Sequence, residues 1–346
     1  MSAAPGVRTG VYEPLLTWWQ RHDFPVWVLD AIWMVALAAL VTVFVLVTVL
    51  FLVWLERKIS ADIQSRVGPN RTGGRFGLLQ TAADALKLLM KEDTIPACAD
   101  TAVFVLAPFV VFVPTLVVFL VIPFSDRWVV KDLNIGLLFV VAVSALPVIG
   151  VFMAGWGSNS KYAIFGAMRA AAQGLSYEIP LILALVCVVV AAGSLRIGDI
   201  VEAQRGGHWF ILRFPLQLAF LLYFVAAMAE VKRVPFDLPE AESELVAGYH
   251  VEYSGMRFAF FFLAEFAHLF FVSALSVTLF FGAWEGPVLP PAIWFLVKTY
   301  AVILVMIWVR WTVPRLRIDQ VMGFAWKVMV PLGLLAVLLT GLVKAI

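Results

Sequence analysis

Carboxylates set inside apolar runs are the first residues that could do chemistry. Glu178 stands within the apolar run 168–192 and Glu265 within 258–282, with His268 one helical turn further on. A charged side chain in mid-span costs about 2.5–3.5 kcal/mol on insertion scales, so it is expected to face a cavity or a partner and to serve in a proton path. An ion pair, with Arg169 as partner for one of the two, is the plainer alternative. Pro180, just after Glu178, frees the carbonyl of Ser176 one turn earlier. A kink there suits a hydrated site, and suits ordinary packing equally well.

A second acidic group follows in the chain. Glu230-Val-Lys232-Arg233 leads into Pro235-Phe-Asp237-Leu-Pro239-Glu240-Ala-Glu242-Ser-Glu244, and Glu252 comes shortly after. Clustered carboxylates titrate together and so can respond to a nearby change of charge. Two prolines and the interleaved Leu245, Val246 and Tyr249 point to a folded, partly buried loop. Glu56 precedes Arg57 and Lys58, where it reads as a local partner for these two membrane-edge cations.

Other chemistries find no residues. Cys98 and Cys187 are the only cysteines, and an iron–sulfur cluster usually takes four thiolates. The four histidines lack zinc-ligand spacing such as HExxH. The turn cluster Gly68-Pro69-Asn70-Arg71-Thr72-Gly73-Gly74 lacks the GK[ST] of a phosphate loop. No basic tail suggests nucleic acid. No cluster, flavin or metal is expected on this chain, so any electrons it handles must come from a partner.

The elements that position these groups follow from composition. Of 346 residues, 63% are hydrophobic and 14% charged, and the mean hydropathy is +0.97. A soluble domain of this size could not hide that much apolar surface. The expected fold is an all-α polytopic membrane protein. About eight transmembrane helices are expected, near 31–54, 98–122, 135–156, 168–192, 211–230, 258–282, 292–313 and 324–343. Residues 1–30 read as an N-terminal outward-facing segment and 31–346 as a single membrane domain. Loops 55–97 and 231–257 are the long ones. In the first, residues 78–91 form an amphipathic helix on the cytoplasmic face, with Gln80, Asp84, Lys87 and Lys91 on one side and Leu78, Ala82, Leu86 and Leu89 on the other. Lys and Arg number sixteen in and beside the loops after spans 1, 3, 5 and 7, against nine on the other side. These loops therefore belong in the cytoplasm and both termini outside. No internal repeat is visible, which argues against an inverted-repeat transporter.

Four ordered motifs carry a family resemblance. They are Arg66-Val-Gly68-Pro69-Asn70-Arg71 with Leu79-Gln80, Ala83-Asp84-Ala85-Leu-Lys87 and Lys91-Glu92-Asp93; Lys161-Tyr-Ala-Ile-Phe-Gly166-Ala-Met-Arg169 with Gln173 and Ser176-Tyr177-Glu178; Pro235-Phe-Asp237-Leu-Pro-Glu240-Ala-Glu242-Ser-Glu244-Leu with Gly248-Tyr and Glu252-Tyr253-Ser-Gly255; and Pro314-Arg315-Leu-Arg317-Ile-Asp319-Gln320. Together they resemble the H-type membrane subunits of the proton-translocating NADH–quinone oxidoreductase, respiratory complex I, from about Glu56 to the C-terminus. Thr81, where many relatives have proline, and the stretch Gly73-Gly74-Arg75 depart from the pattern.

The resemblance implies a membrane subunit of an oxidoreductase, without a complete active site of its own, in a bacterial inner membrane. Its implied partners are soluble quinone-module subunits carrying the terminal iron–sulfur cluster, small membrane subunits, antiporter-like subunits and the lipid bilayer. The implied substrate is quinone, either ubiquinone or menaquinone. Arg57, Arg66 and Arg315 would line the quinone path or its mouth. Asp84, Glu178, Glu230, Glu240, Glu242, Glu244, Glu252 and Glu265 would form an acidic chain toward the antiporter-like subunits, with Arg233 as a counter-charge. The alternative is the homologous membrane subunit of a membrane-bound hydrogenase or formate hydrogenlyase complex.

Overall fold

Long apolar runs become helices because a chain in hydrocarbon must bond its own backbone groups. The computed structural model describes residues 26–126 and 128–345. Residues 1–25 of the expected N-terminal segment lie outside the described residues, as do the side chains of Glu242 and Ser243.

The helices are α1 (Val26–Ile63), α2 (Gln80–Met90), α3 (Thr101–Val117), α4 (Gly136–Ser144), α5 (Leu146–Gly157), α6 (Lys161–Ala192), α7 (Ile197–Glu202), α8 (Leu216–Glu230), α9 (Glu242–Leu245), α10 (Gly255–Phe280), α11 (Pro291–Thr312), α12 (Ile318–Phe324) and α13 (Val330–Ala345). A π-helical turn, Ala325–Met329, joins the last two into one span. Seven spans among the described residues are long and apolar enough to cross a bilayer.

The fifth expected span, 211–230, is a correction in length. α8 has 15 residues, about 22 Å at 1.5 Å per residue, against a hydrocarbon core of about 30 Å. It starts only at Leu216 because Pro215 biases the residue before it away from helix. The third span is broken between α4 and α5, where Pro147 at the start of α5 has no N–H for the Val143 carbonyl. α1 runs past its expected end at residue 54. Its 38 residues reach about 57 Å, so Glu56, Arg57 and Ser60 ride on a rigid helix rather than a loop.

α10 is apolar all round and is buried all round: every residue from Phe266 to Phe280 is enclosed. It packs against α1, α3, α8 and α11, while α6 packs against α5, α8 and α13. Ile32, Val35, Leu40, Val43 and Val47 of α1 are exposed, which lipid tolerates and water does not.

The amphipathic helix α2 forms as expected. Thr81, Asp84, Ala85 and Leu88 line the side toward α1 and α10, while Leu78, Leu86 and Met90 are exposed. Asp84 turns inward because Arg57 of α1 meets it there, at 2.5 Å.

Candidate functional site

Four elements converge at the end of the bundle that carries the 231–254 loop: the overhanging tail of α1, the N-terminal half of α10, the last turn of α11 and the loop itself. They enclose a polar cavity of about 400 Å³, whose wall includes Glu56, Arg57, Arg66, Arg233, Glu240 and Glu265. Tyr249, His250 and Arg310 complete the polar lining.

A buried ion network forms one wall. Arg233 (4% of its side chain exposed) donates from Nη1 to both carboxylate oxygens of Glu56 (8% exposed) at 2.9 Å. Its Nε lies 2.9 Å from Glu265 Oε1, too obliquely for a hydrogen bond. Arg310 Nη1 also meets Glu56 Oε1. The Arg233 guanidinium stacks 4.3 Å from the ring centroid of Phe266, and its buried Nη2 has no hydrogen-bond partner. Each charge is costly alone, and together they nearly cancel. Glu56 is therefore a partner of distant Arg233 and Arg310, not of its neighbours Arg57 and Lys58.

The loop supplies the opposite wall. Tyr249 donates its hydroxyl to Glu240 Oε1 at 3.4 Å, and His250 Nδ1 lies 4.0 Å from the same oxygen. Burial, then the charges of Glu265 and Asp237, push the Glu240 carboxyl up to about 8, against the opposing pull of Lys232 and Arg233. Burial, then Lys232, hold His250 down at about 4. Near neutral pH the facing pair is thus a carboxylic acid and a neutral imidazole. The folded loop binds the Glu240 proton more tightly than the unfolded chain does, so this group's contribution to stability declines as pH rises from 4.5 to about 8. A carboxylic acid infrared band that bleaches near pH 8, and is missing in Glu240→Gln, is the expected signature. A band unchanged by that substitution would place the proton elsewhere.

An apolar side pocket of about 120 Å³ opens between α1, α2 and α10 and shares Val53, Arg57 and Phe262 with the cavity. The Arg57–Asp84 pair stands at this junction, with Gln80 Nε2 donating to Asp84 Oδ1 at 3.3 Å. On its other flank the cavity adjoins a pocket of about 50 Å³ that shares Tyr249, Phe261 and Glu265 with it and adds Glu230, Lys232 and His268. Glu230 is close enough to Glu178 to act on it electrostatically.

Of the expected residues, Arg57, Arg66, Arg233, Glu240 and Glu265 come together in the cavity, and Glu230 and Glu178 continue inward from it. Others stand apart. Asp84 belongs to the side mouth with Arg57, outside the acidic row. Arg315 is held by Asp237 at 2.9 Å, and Arg169 by Glu244 at 2.6 Å instead of by a mid-span carboxylate. Glu252 is half-buried and joins no ion pair among the described residues. The Glu242 side chain lies outside the described residues. Sequence reasoning assigned no place in the site to Glu56, Arg310, Lys232, Tyr249 or His250. The only signal available for Lys232 was its place directly beyond Glu230, and Glu56 and Arg310 gave none.

The fold and the site define a multi-pass helical membrane protein with a polar cavity, lined by charged side chains from four elements, beside an apolar pocket. Residues 35–341 match the NADH dehydrogenase family model, and the chain belongs to that family. It is 56% identical over 295 residues to a Geobacillus kaustophilus protein named as the H subunit of NADH-quinone oxidoreductase, covering 84% of this chain and 87% of that one. The proteins of the same name from Geobacillus thermodenitrificans and Dehalococcoides mccartyi are 51% and 53% identical, over 93% and 91% of this chain and 97% and 86% of their own.

Proposed function

We propose that the chain serves as the quinone-side membrane subunit of a proton-translocating NADH–quinone oxidoreductase. With soluble subunits that carry the terminal iron–sulfur cluster, it forms the chamber in which quinone is reduced. Its carboxylates pass the effect of that reduction toward antiporter-like subunits. The observation that carries the reading is the adjoining pair of spaces: an apolar pocket facing α2 and a large polar cavity, with Val53, Arg57 and Phe262 in the wall of both. A quinone is an apolar tail bearing a polar head, and this pair of spaces matches that division. The names of the relatives point the same way.

Each residue then has a stated task. Leu88, Leu89 and Leu263 offer the tail an apolar wall. Arg57 stands between the two spaces, its side chain partly exposed and paired with Asp84, which Gln80 also holds, so Arg57 can turn to a head group at small cost. The unpartnered Arg233 Nη2 offers a charged donor to the cavity. Glu240 holds a proton at neutral pH within reach of that space. Reduction of a quinone to a quinol draws protons as well as electrons, and the groups lining the cavity re-titrate in response. The excess of Lys and Arg on the odd-numbered loops supports placing the cavity in a bacterial inner membrane with its mouth on the cytoplasmic side and both termini outside.

Photo-crosslinking of the intact, active complex with a quinone analogue tests the reading. Label is expected on this chain, in α1 near Val53–Arg57 and in α10 near Phe262. An active complex with no label on the chain would remove it from the chamber.

A further inference from the structure

The small pocket behind Glu265 contains a titratable group that the row of carboxylates leaves without a role. We propose that His268 is a proton relay between Glu265 and Glu230, working through water held in that pocket. The inference rests on the proton-path reading above.

His268 follows Glu265 by three positions in α10, so both side chains lie on one face of the helix. Its Nε2 lies 3.4 Å from Glu230 Oε1 on α8, across the helix interface. This nitrogen is buried and has no hydrogen-bond partner, and only 9% of the residue is exposed. A buried polar atom left unpaired next to a carboxylate is expensive if it is merely filling space.

The pocket explains why it is tolerated. His268, Glu230 and Glu265 all line it, and its volume of about 50 Å³ exceeds the 10–15 Å³ that one water needs. The other polar groups facing it are Lys232 beyond α8, Tyr249 of the loop, Thr115 of α3 and Ser144 at the end of α4. The Thr115 and Ser144 hydroxyls donate to Val111 O (2.8 Å) and Val141 O (3.1 Å), which leaves their lone pairs for water. The Lys232 ammonium lies 5.0 Å from the centroid of the Tyr249 ring, and as a cation it has donors but no acceptor, so it cannot take up the Glu265 proton.

The transfer balances. A proton leaves the Glu265 carboxyl group through the water to His268, giving a Glu265 carboxylate and an imidazolium. The Nε2–H proton then passes to Glu230 Oε1, restoring the neutral imidazole and leaving Glu230 as a carboxylic acid. A neutral imidazole suits this task because it has one accepting and one donating nitrogen. Without it, Glu265 and Glu230 are bridged by water alone.

His268→Ala, His268→Leu and Glu230→Gln complexes, matched for assembled content by native electrophoresis, are to be assayed for quinone turnover and proton pumping, with and without added imidazole. Loss of a positioned proton-transfer group typically slows the step by about a hundredfold or more. Both His268 variants should therefore lose turnover and pumping together. Imidazole should restore His268→Ala, where it finds room, and not His268→Leu, where the side chain fills the space. Parental turnover in both His268 variants, or a loss in His268→Ala that saturating imidazole leaves unchanged, overturns the relay. If Glu230→Gln is also at the parental level, the proton path as a whole falls; if Glu230→Gln alone loses pumping, only His268 is removed from it.

Discussion

Arg233→Met is expected to prevent accumulation of the assembled complex. The substitution keeps an unbranched apolar stem and removes the guanidinium with its charge. Glu56 retains Arg310, but Glu265, largely buried, loses the cation 2.9 Å away. Removing one partner of a buried pair costs about 3–5 kcal/mol, against about 5–15 kcal/mol for a whole domain. The Phe266 face also loses its guanidinium. Adding Glu265→Gln to Arg233→Met removes the orphaned charge while leaving the Glu56–Arg310 pair intact, and should bring assembly back without restoring quinone turnover. That contrast separates the cost of the buried charge from its use. Native electrophoresis of membranes reads the first effect, and NADH-driven quinone reduction reads the second. Arg233→Met complexes present at the parental level would show that the network is not the keystone of this wall.

What the sequence made legible divides along a physical line. Apolar runs identified the spans, because backbone satisfaction in lipid allows only helices or closed barrels, and runs that are apolar throughout fit the helix. Proline chemistry then displaced the details: the late start of α8 after Pro215 and the break before Pro147 are both local effects. The carboxylates were visible for the same reason as the spans, since each is conspicuous in an apolar context. Their partners were not. Glu56 lies 177 residues from Arg233 and 254 from Arg310, and no periodicity carries information over such a separation. Local reasoning paired Glu56 with Arg57, whereas the helix sends these neighbours in different directions: Glu56 into the bundle and Arg57 to the mouth with Asp84. The same blindness holds for α2. Its amphipathic pattern did not say which side faces the bundle, and the ion pair to Arg57 turns Asp84 inward while Leu78, Leu86 and Met90 are exposed.

Gly248→Ala is expected to leave the complex assembled and to raise the KM for quinone while lowering turnover about tenfold or more. Gly248 has φ +60, a conformation that costs other residues about 1–2 kcal/mol. A Cβ there would overlap the carbonyl of Pro239. The strip is tight on its far side too. A Cβ on Gly166 of α6 would come within 2.7 Å of the Tyr249 nitrogen and 2.8 Å of the Pro239 oxygen. The loop thus lies backbone against backbone on α6, and it cannot absorb a methyl by sinking further. It must lift, and it carries Glu240, Tyr249 and His250 with it. Overpacking of this kind costs about 1–3 kcal/mol, which a protein of this size survives. A shift of about 1 Å at a positioned group can cost about a hundredfold in rate, so function should fail before folding does. Gly341→Ala, in α13 with open space around its Cα, is the matched control and should behave as the parent. An unchanged KM and turnover in Gly248→Ala would mean that the loop can shift without moving Glu240 and Tyr249, and would detach the close packing on α6 from the geometry of the cavity.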